Sequence, residues 1–95
     1  MAIKKVQKIE VETRRGKYKV LFRWDKKDRA YIVKVPGLPE VFTFGKNLKE
    51  AKYMAKDAIE LYCDSLIGEG KIIIDDEGSA FGKLPQPRII KIAGR

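Results

Sequence analysis

The chain contains no histidine and a single cysteine, Cys63. The first absence removes Ser-His-Asp triads, Cys-His dyads and the commonest metal ligand together. The second excludes an internal disulfide and points to a reducing compartment, the cytoplasm. Side-chain amides are scarce too: Gln7, Asn47 and Gln86 are all there are. No apolar run approaches the ~18 residues of a membrane-spanning helix, so no membrane is expected as a partner. Met1-Ala2-Ile3-Lys4-Lys5 leads into a charged strand pattern and not into an apolar leader.

What the chain has in plenty is charge. Charged residues make up 36% and hydrophobic residues 44% of 95 positions, the composition of a globular domain with a heavily charged surface. That length suits one domain, residues 1–95, with a core from about 8 to 75 and a tail from about 76 to 95. The net charge is +8, and all of it arises in the first third. Met1 to Lys34 holds twelve Lys/Arg against four Asp/Glu, whereas the rest holds nine of each. Such asymmetry favours an anionic partner.

The apolar pattern predicts strands first. Ile9, Val11 and Thr13 alternate with charged residues, and Tyr18, Val20, Phe22 and Trp24 repeat the period of two. A two-residue turn at Arg15-Gly16 would join them as a hairpin, setting Val11 opposite Val20, Ile9 opposite Phe22 and Glu12 opposite Lys19. Tyr31, Val33 and Val35 predict a third strand, ended by Pro36-Gly37-Leu38-Pro39. Val41 to Phe44 predicts a short fourth, closed by Gly45. Leu48, Ala51, Ala55, Ala58, Ile59, Tyr62 and Leu66 recur at steps of three and four, one face of an α-helix. Asn47 is its expected N-cap with Glu50 three residues on, and Gly68 or Gly70 its end. Lys71-Ile72-Ile73-Ile74 reads as a short buried strand. Ile89 to Ile92 is strand-like without an evident slot.

Few residues here can carry catalysis. Asp75-Asp76-Glu77 forms the one acidic cluster, but adjacent carboxylates diverge, and a solvated turn explains them better than a metal site. Cys63 has no histidine or metal partner in sequence range and reads as a buried thiol. Gly68-Glu69-Gly70 ends a helix and so is not a phosphate loop. No cofactor is expected. The remaining candidate is a surface for nucleic acid. Lys17, Lys19, Arg23 and Lys34 share the outward sheet face, with Arg14 and Arg15 at the hairpin tip and Lys26, Lys27 and Arg29 in the next turn. Base stacking also needs exposed aromatics, and Tyr18, Phe22, Trp24 and Tyr31 fall on the core parity. An anion-binding surface and a merely solvated, ion-paired face both remain open.

Three stretches carry a family pattern: Tyr18-Lys19-Val20-Leu21-Phe22; Tyr31-Ile32-Val33-Lys34-Val35-Pro36-Gly37-Leu38-Pro39; and Thr43-Phe44-Gly45-Lys46-Asn47-Leu48-Lys49-Glu50-Ala51 with Ala55 to Tyr62. Together they resemble the HicB family of antitoxins over about Lys17 to Ile74. Gly37 stands where that family often has Asp, and Glu40 where a second turn glycine is usual. The resemblance implies an α+β, partial RNase H-like fold, ββββαβ: an antiparallel sheet of three to four strands, one helix on one face and a returning C-terminal strand. It implies a non-catalytic protein whose partner is a small HicA-like RNase toxin. A solitary nucleic-acid-binding module is the alternative. The N-terminal hairpin competes with the returning strand for one sheet edge, so Ile72–Ile74 or Ile89–Ile92 is expected to pair with a second copy, giving a homodimer or higher homo-oligomer.

Overall fold

In a computed structural model the described residues are 6–82. Four strands, β1 (Val6–Thr13), β2 (Gly16–Asp25), β3 (Ala30–Lys34) and β4 (Phe42–Gly45), precede one helix, α1 (Leu48–Gly68). Two short strands follow, β5 (Ile73–Ile74) and β6 (Ala80–Phe81). The first four form an antiparallel sheet in the order β1-β2-β3-β4, and β5 pairs with β6 as a separate ribbon. The architecture is α+β, as expected.

The period of two decides which face is buried. Tyr18, Val20, Phe22, Val33 and Val35 point inward and meet Ala51, Ala55, Ile59 and Cys63 of α1. Trp24 shares that parity but lies beyond the helix; it is 39% exposed and meets Tyr31 edge-on at 5.0 Å between ring centroids. The expected hairpin register is displaced by two residues. Thr13 faces Gly16, so Val11 sits opposite Tyr18, Ile9 opposite Val20 and Glu12 opposite Lys17. The turn is therefore Arg14-Arg15 and not Arg15-Gly16. Thr13 closes it, its Oγ1 accepting the Arg15 amide at 2.9 Å and donating to the Gly16 carbonyl at 2.8 Å. A shift of two leaves every side chain on its intended face.

Asn47 caps α1, with Oδ1 accepting the Glu50 amide at 2.7 Å. The Glu50 carboxylate reaches back one residue further than a capping box, to the Lys46 amide at 2.6 Å. At the other end Gly70 takes φ +88°, its amide bonds to the Ile67 carbonyl, and the Lys71 amide bonds to that of Leu66. This is a Schellman close, for which glycine is the favoured residue. The small-residue stripe lets the helix lie close: a Cβ on Gly45 would stand 2.5 Å from the Ala51 nitrogen. Strand β4 and the first turn of α1 thus touch backbone to backbone.

The C-terminal ribbon differs from expectation. Only Ile73 of the isoleucine run is buried; Ile72 and Ile74 are exposed, and Ile73–Ile74 pairs within its own chain. Within one chain this strand therefore has a partner of its own in β6; Ile89–Ile92 lies outside the described residues. Strand β3 parts from β2 after Lys34, leaving the Lys17 and Lys19 amides on an open edge. The turn after β5 fills that edge. Lys17 donates to Asp75 Oδ2 at 2.8 Å, Lys19 to Asp76 Oδ2 at 2.7 Å, and the Asp76 amide to the Lys17 carbonyl at 3.1 Å.

Candidate functional site

The face of the sheet turned away from α1 is crossed by rows of paired residues. One row reads Val6, Arg23, Ile32, Phe44; the next reads Lys8, Leu21, Lys34, Phe42. Nearer the hairpin tip, Glu10 opposes Lys19 and Glu12 opposes Lys17. Cross-strand acids therefore accompany Lys17 and Lys19, and Lys17 also lies 3.9 Å from Glu77. The first two rows hold Lys8, Arg23 and Lys34 and no acid, and these three make no ion pair among the described residues.

Beside those three cations stand two aromatic rings absent from the sequence expectation. Phe42 and Phe44 are each 59% exposed. Their direction follows from β4 itself: Val41 and Gly45 turn inward, so the residues between them at even positions must turn out. The spacing Val41-x-Thr43-x-Gly45, apolar or small at alternate positions, held the signal. Two depressions lie on this face, one of about 320 Å³ bounded by Pro36, Pro39 and Phe42, the other of about 120 Å³ bounded by Val6, Arg23 and Ile32. They share Leu21 and Lys34 in their linings.

The other seven predicted cations are divided between the two ends of the sheet and its hairpin-side rows. Lys26, Lys27 and Arg29 lie in the β2–β3 turn, where Asp25 Oδ1 accepts the Lys27 and Asp28 amides at 3.0 and 3.2 Å. Arg14 and Arg15 lie at the opposite end of β2, roughly 30 Å away at the rise of an extended strand. Both arginines are bound to the helix. Arg15 Nε donates to Asp64 Oδ1 at 2.7 Å, and Arg14 reaches Asp64 at 3.3 Å and Glu60 at 3.4 Å. The Arg14 amide donates to Glu60 Oε2 at 2.8 Å, and Lys56 approaches the same carboxylate at 3.2 Å. These contacts, led by the Arg14 amide, hold Glu60 below the usual carboxylate range, and Arg15 does the same for Asp64. The nine residues form two end clusters and one central strip, with Arg23 and Lys34 in the strip beside Phe42 and Phe44.

Among the described residues, no three Asp, Glu, Cys or His side chains come together to hold a metal ion. Asp75 is buried, its Oδ1 accepting the Glu77 and Ser79 amides at 3.0 and 2.8 Å. Those bonds and the Lys17 amide, the strongest influence, hold its pKa low. Cys63 is fully buried 3.7 Å from the Tyr18 hydroxyl, which donates to the Arg15 carbonyl at 2.9 Å. Burial raises the pKa of both groups.

The helix carries a second exposed surface. Glu50, Tyr53, Asp57 and Leu61, at steps of three and four, follow one line along the solvent side of α1. Tyr53 is 67% and Leu61 63% exposed. No described helix is long and apolar enough to cross a membrane.

No solved structure matches the chain. UPF0150 protein Ta0767 of Thermoplasma acidophilum is 48% identical over 50 residues, which are 53% of this chain and 71% of that protein. The family model for the HicB-like antitoxin of bacterial toxin–antitoxin systems matches residues 18–84, from the first core tyrosine of β2 past the end of β6. With more than half of its length inside that match, the chain belongs to the HicB-like antitoxin family.

Proposed function

We propose that the chain is a non-catalytic antitoxin that binds and neutralises a small HicA-like RNase toxin in the cytoplasm. It acts as one HicB-like domain over residues 1–95, with its core at about 8–75. The family match over residues 18–84 carries this reading. The engagement of Asp75 and Asp76 by backbone amides supports a non-catalytic role, because both carboxylates already serve as caps. An RNase needs a basic surface to hold its substrate, and this chain is itself basic overall. The outward line of α1 fits such a partner best, since Tyr53 and Leu61 supply apolar area and Glu50 and Asp57 supply the opposite charge.

Co-expression with the small RNase encoded beside it tests the reading. The two proteins co-purify, and Tyr53→Ala with Leu61→Ala releases the toxin. Should no small RNase co-purify and none be encoded alongside, the antitoxin role is wrong. Self-association into a homodimer or higher homo-oligomer is part of the proposal. The outermost strands of the four-stranded sheet, β1 and β4, are where it would form. A strict monomer in gel filtration at high concentration removes it.

One observation favours a second reading, a nucleic-acid-binding module on the basic sheet face. Lys8, Arg23 and Lys34 stand without acids in the same two rows as Phe42 and Phe44.

A further inference from the structure

We infer that the outer sheet face binds single-stranded nucleic acid, with Phe42 and Phe44 stacking on bases and Lys8, Arg23 and Lys34 meeting phosphates. The inference rests on the second reading above and goes further, naming the strandedness of the ligand and the residues that read it. Rings at positions i and i+2 of one strand stand roughly 7 Å apart on one face. Bases splayed from a single strand can each lie on such a ring, whereas bases in a duplex are already stacked and offer no free face. The cations occupy the neighbouring strands of the same two rows, so they flank the rings on one side. Two depressions that share Leu21 and Lys34 adjoin these groups, one bordered by Phe42, Pro36 and Pro39 and the other by Arg23.

The other occupants fit worse. A second copy laid face to face about an axis through these two rows would bring Lys8, Arg23 and Lys34 near the same three cations of its partner. Residues 83–95 of this chain contain Lys83, Arg88, Lys91 and Arg95 and no acid, so they too would be repelled. A polyanion with flat apolar rings satisfies both halves of the surface at once. Because every base has a stacking face, little sequence preference is expected.

Fluorescence anisotropy on the full chain tests this, with a labelled single strand of about twelve nucleotides, within the range of sheet-based binders. Oligouridylate, oligothymidylate and a duplex of equal length are the three arms. Binding to the single strands is expected at low salt, falling by about 0.7 log unit per log unit of salt for each phosphate met. Phe42→Ser with Phe44→Ser should weaken single-strand binding at least tenfold at unchanged salt slope, since each stack contributes about fivefold or more. Arg23→Ala or Lys34→Ala should lower the slope by about 0.7. The RNA and DNA arms decide which strand is preferred. Duplex and single strand bound alike, with the phenylalanine variant unchanged, would leave a basic nucleic-acid surface but overturn the single-strand inference. No binding at low salt to any arm overturns both. If the double variant loses self-association or toxin binding instead, the face is a protein interface and the inference fails. Both rings are largely exposed, so the variant should fold, and an unchanged melting temperature checks that it has.

Discussion

Glu60 of α1 sits beneath the β1–β2 turn with Oε2 2.8 Å from the Arg14 amide nitrogen. A carboxylate near the middle of the chain thereby closes a hairpin near its start. Replacing Glu60 with Ala leaves that amide without its partner and removes the anchor of Arg14 and Lys56 at once. Urea unfolding should show a loss of about 1.5–3 kcal/mol, the usual range for a hydrogen bond to a charged group. Arg14→Ala removes only an exposed guanidinium, keeps the backbone bond and should lose less than half as much.

Acid should unfold the protein in two distinguishable ways. Glu60, Asp64 and Asp75 all have folded-state pKa values below their ordinary ones. A carboxyl group held low in the folded state contributes stability above its unfolded pKa and loses it as pH falls through the folded value. Stability should therefore decline from about pH 5 downward, as the pH falls through the ordinary range of Asp and Glu toward the lower folded-state values. The Asp64 contribution comes from arginines and should shrink in high salt. The Asp75 contribution comes from backbone amides, led by Lys17, and should persist. Denaturant midpoints at two pH values and two salt concentrations separate them, and Asp75→Asn should flatten the salt-resistant part.

The contact of Gly45 with Ala51 leaves no room for a methyl group. Gly45→Ala should destabilise by about 1–3 kcal/mol through overpacking against backbone that cannot move aside. Ile59→Ala, at a fully buried site, should cost about 2–5 kcal/mol by opening a cavity. Thermal unfolding of both variants checks this.

Cys63 should be unreactive in the folded protein, being buried with a pKa raised by that burial. Alkylation by iodoacetamide should proceed only through unfolding and accelerate with urea in step with the loss of structure. Rapid labelling without denaturant would mean that α1 opens locally at Tyr18.

Side-chain periodicity reveals faces, and the faces were legible. Tyr18, Val20, Phe22, Val33, Ala51, Ala55 and Ile59 all lie where a period of two or of 3.6 puts them. Registers and long-range caps were harder. The two-residue displacement of the hairpin preserves parity, so no hydrophobic pattern distinguishes the two alignments; Thr13 and the approach of Asp75 to Gly16 select the observed one. Asp75 and Asp76 read as a solvated turn because their partners, the Lys17 and Lys19 amides, lie almost sixty positions away and carry no side-chain signature. Of the surface site, Arg23 and Lys34 could be named from the alternation of β2 and β3. Phe42 and Phe44 were missed because β4 is short, and an aromatic pair next to a helix is ordinarily assigned to the interior. Arg14 and Arg15 could be named as basic, but not as partners of Asp64 some fifty residues on.

The seam between Gly45 and Ala51 has a mechanical consequence. Phe42 and Phe44 project from one side of β4, and the line of Glu50, Tyr53, Asp57 and Leu61 begins just beyond its far side. Because Gly45 puts no side chain between strand and helix there, a tilt of one should carry the other, and a guest on either side should meet a stiff slab. Association should leave the backbone between Phe42 and Leu61 where it stands, so selectivity is settled by fit.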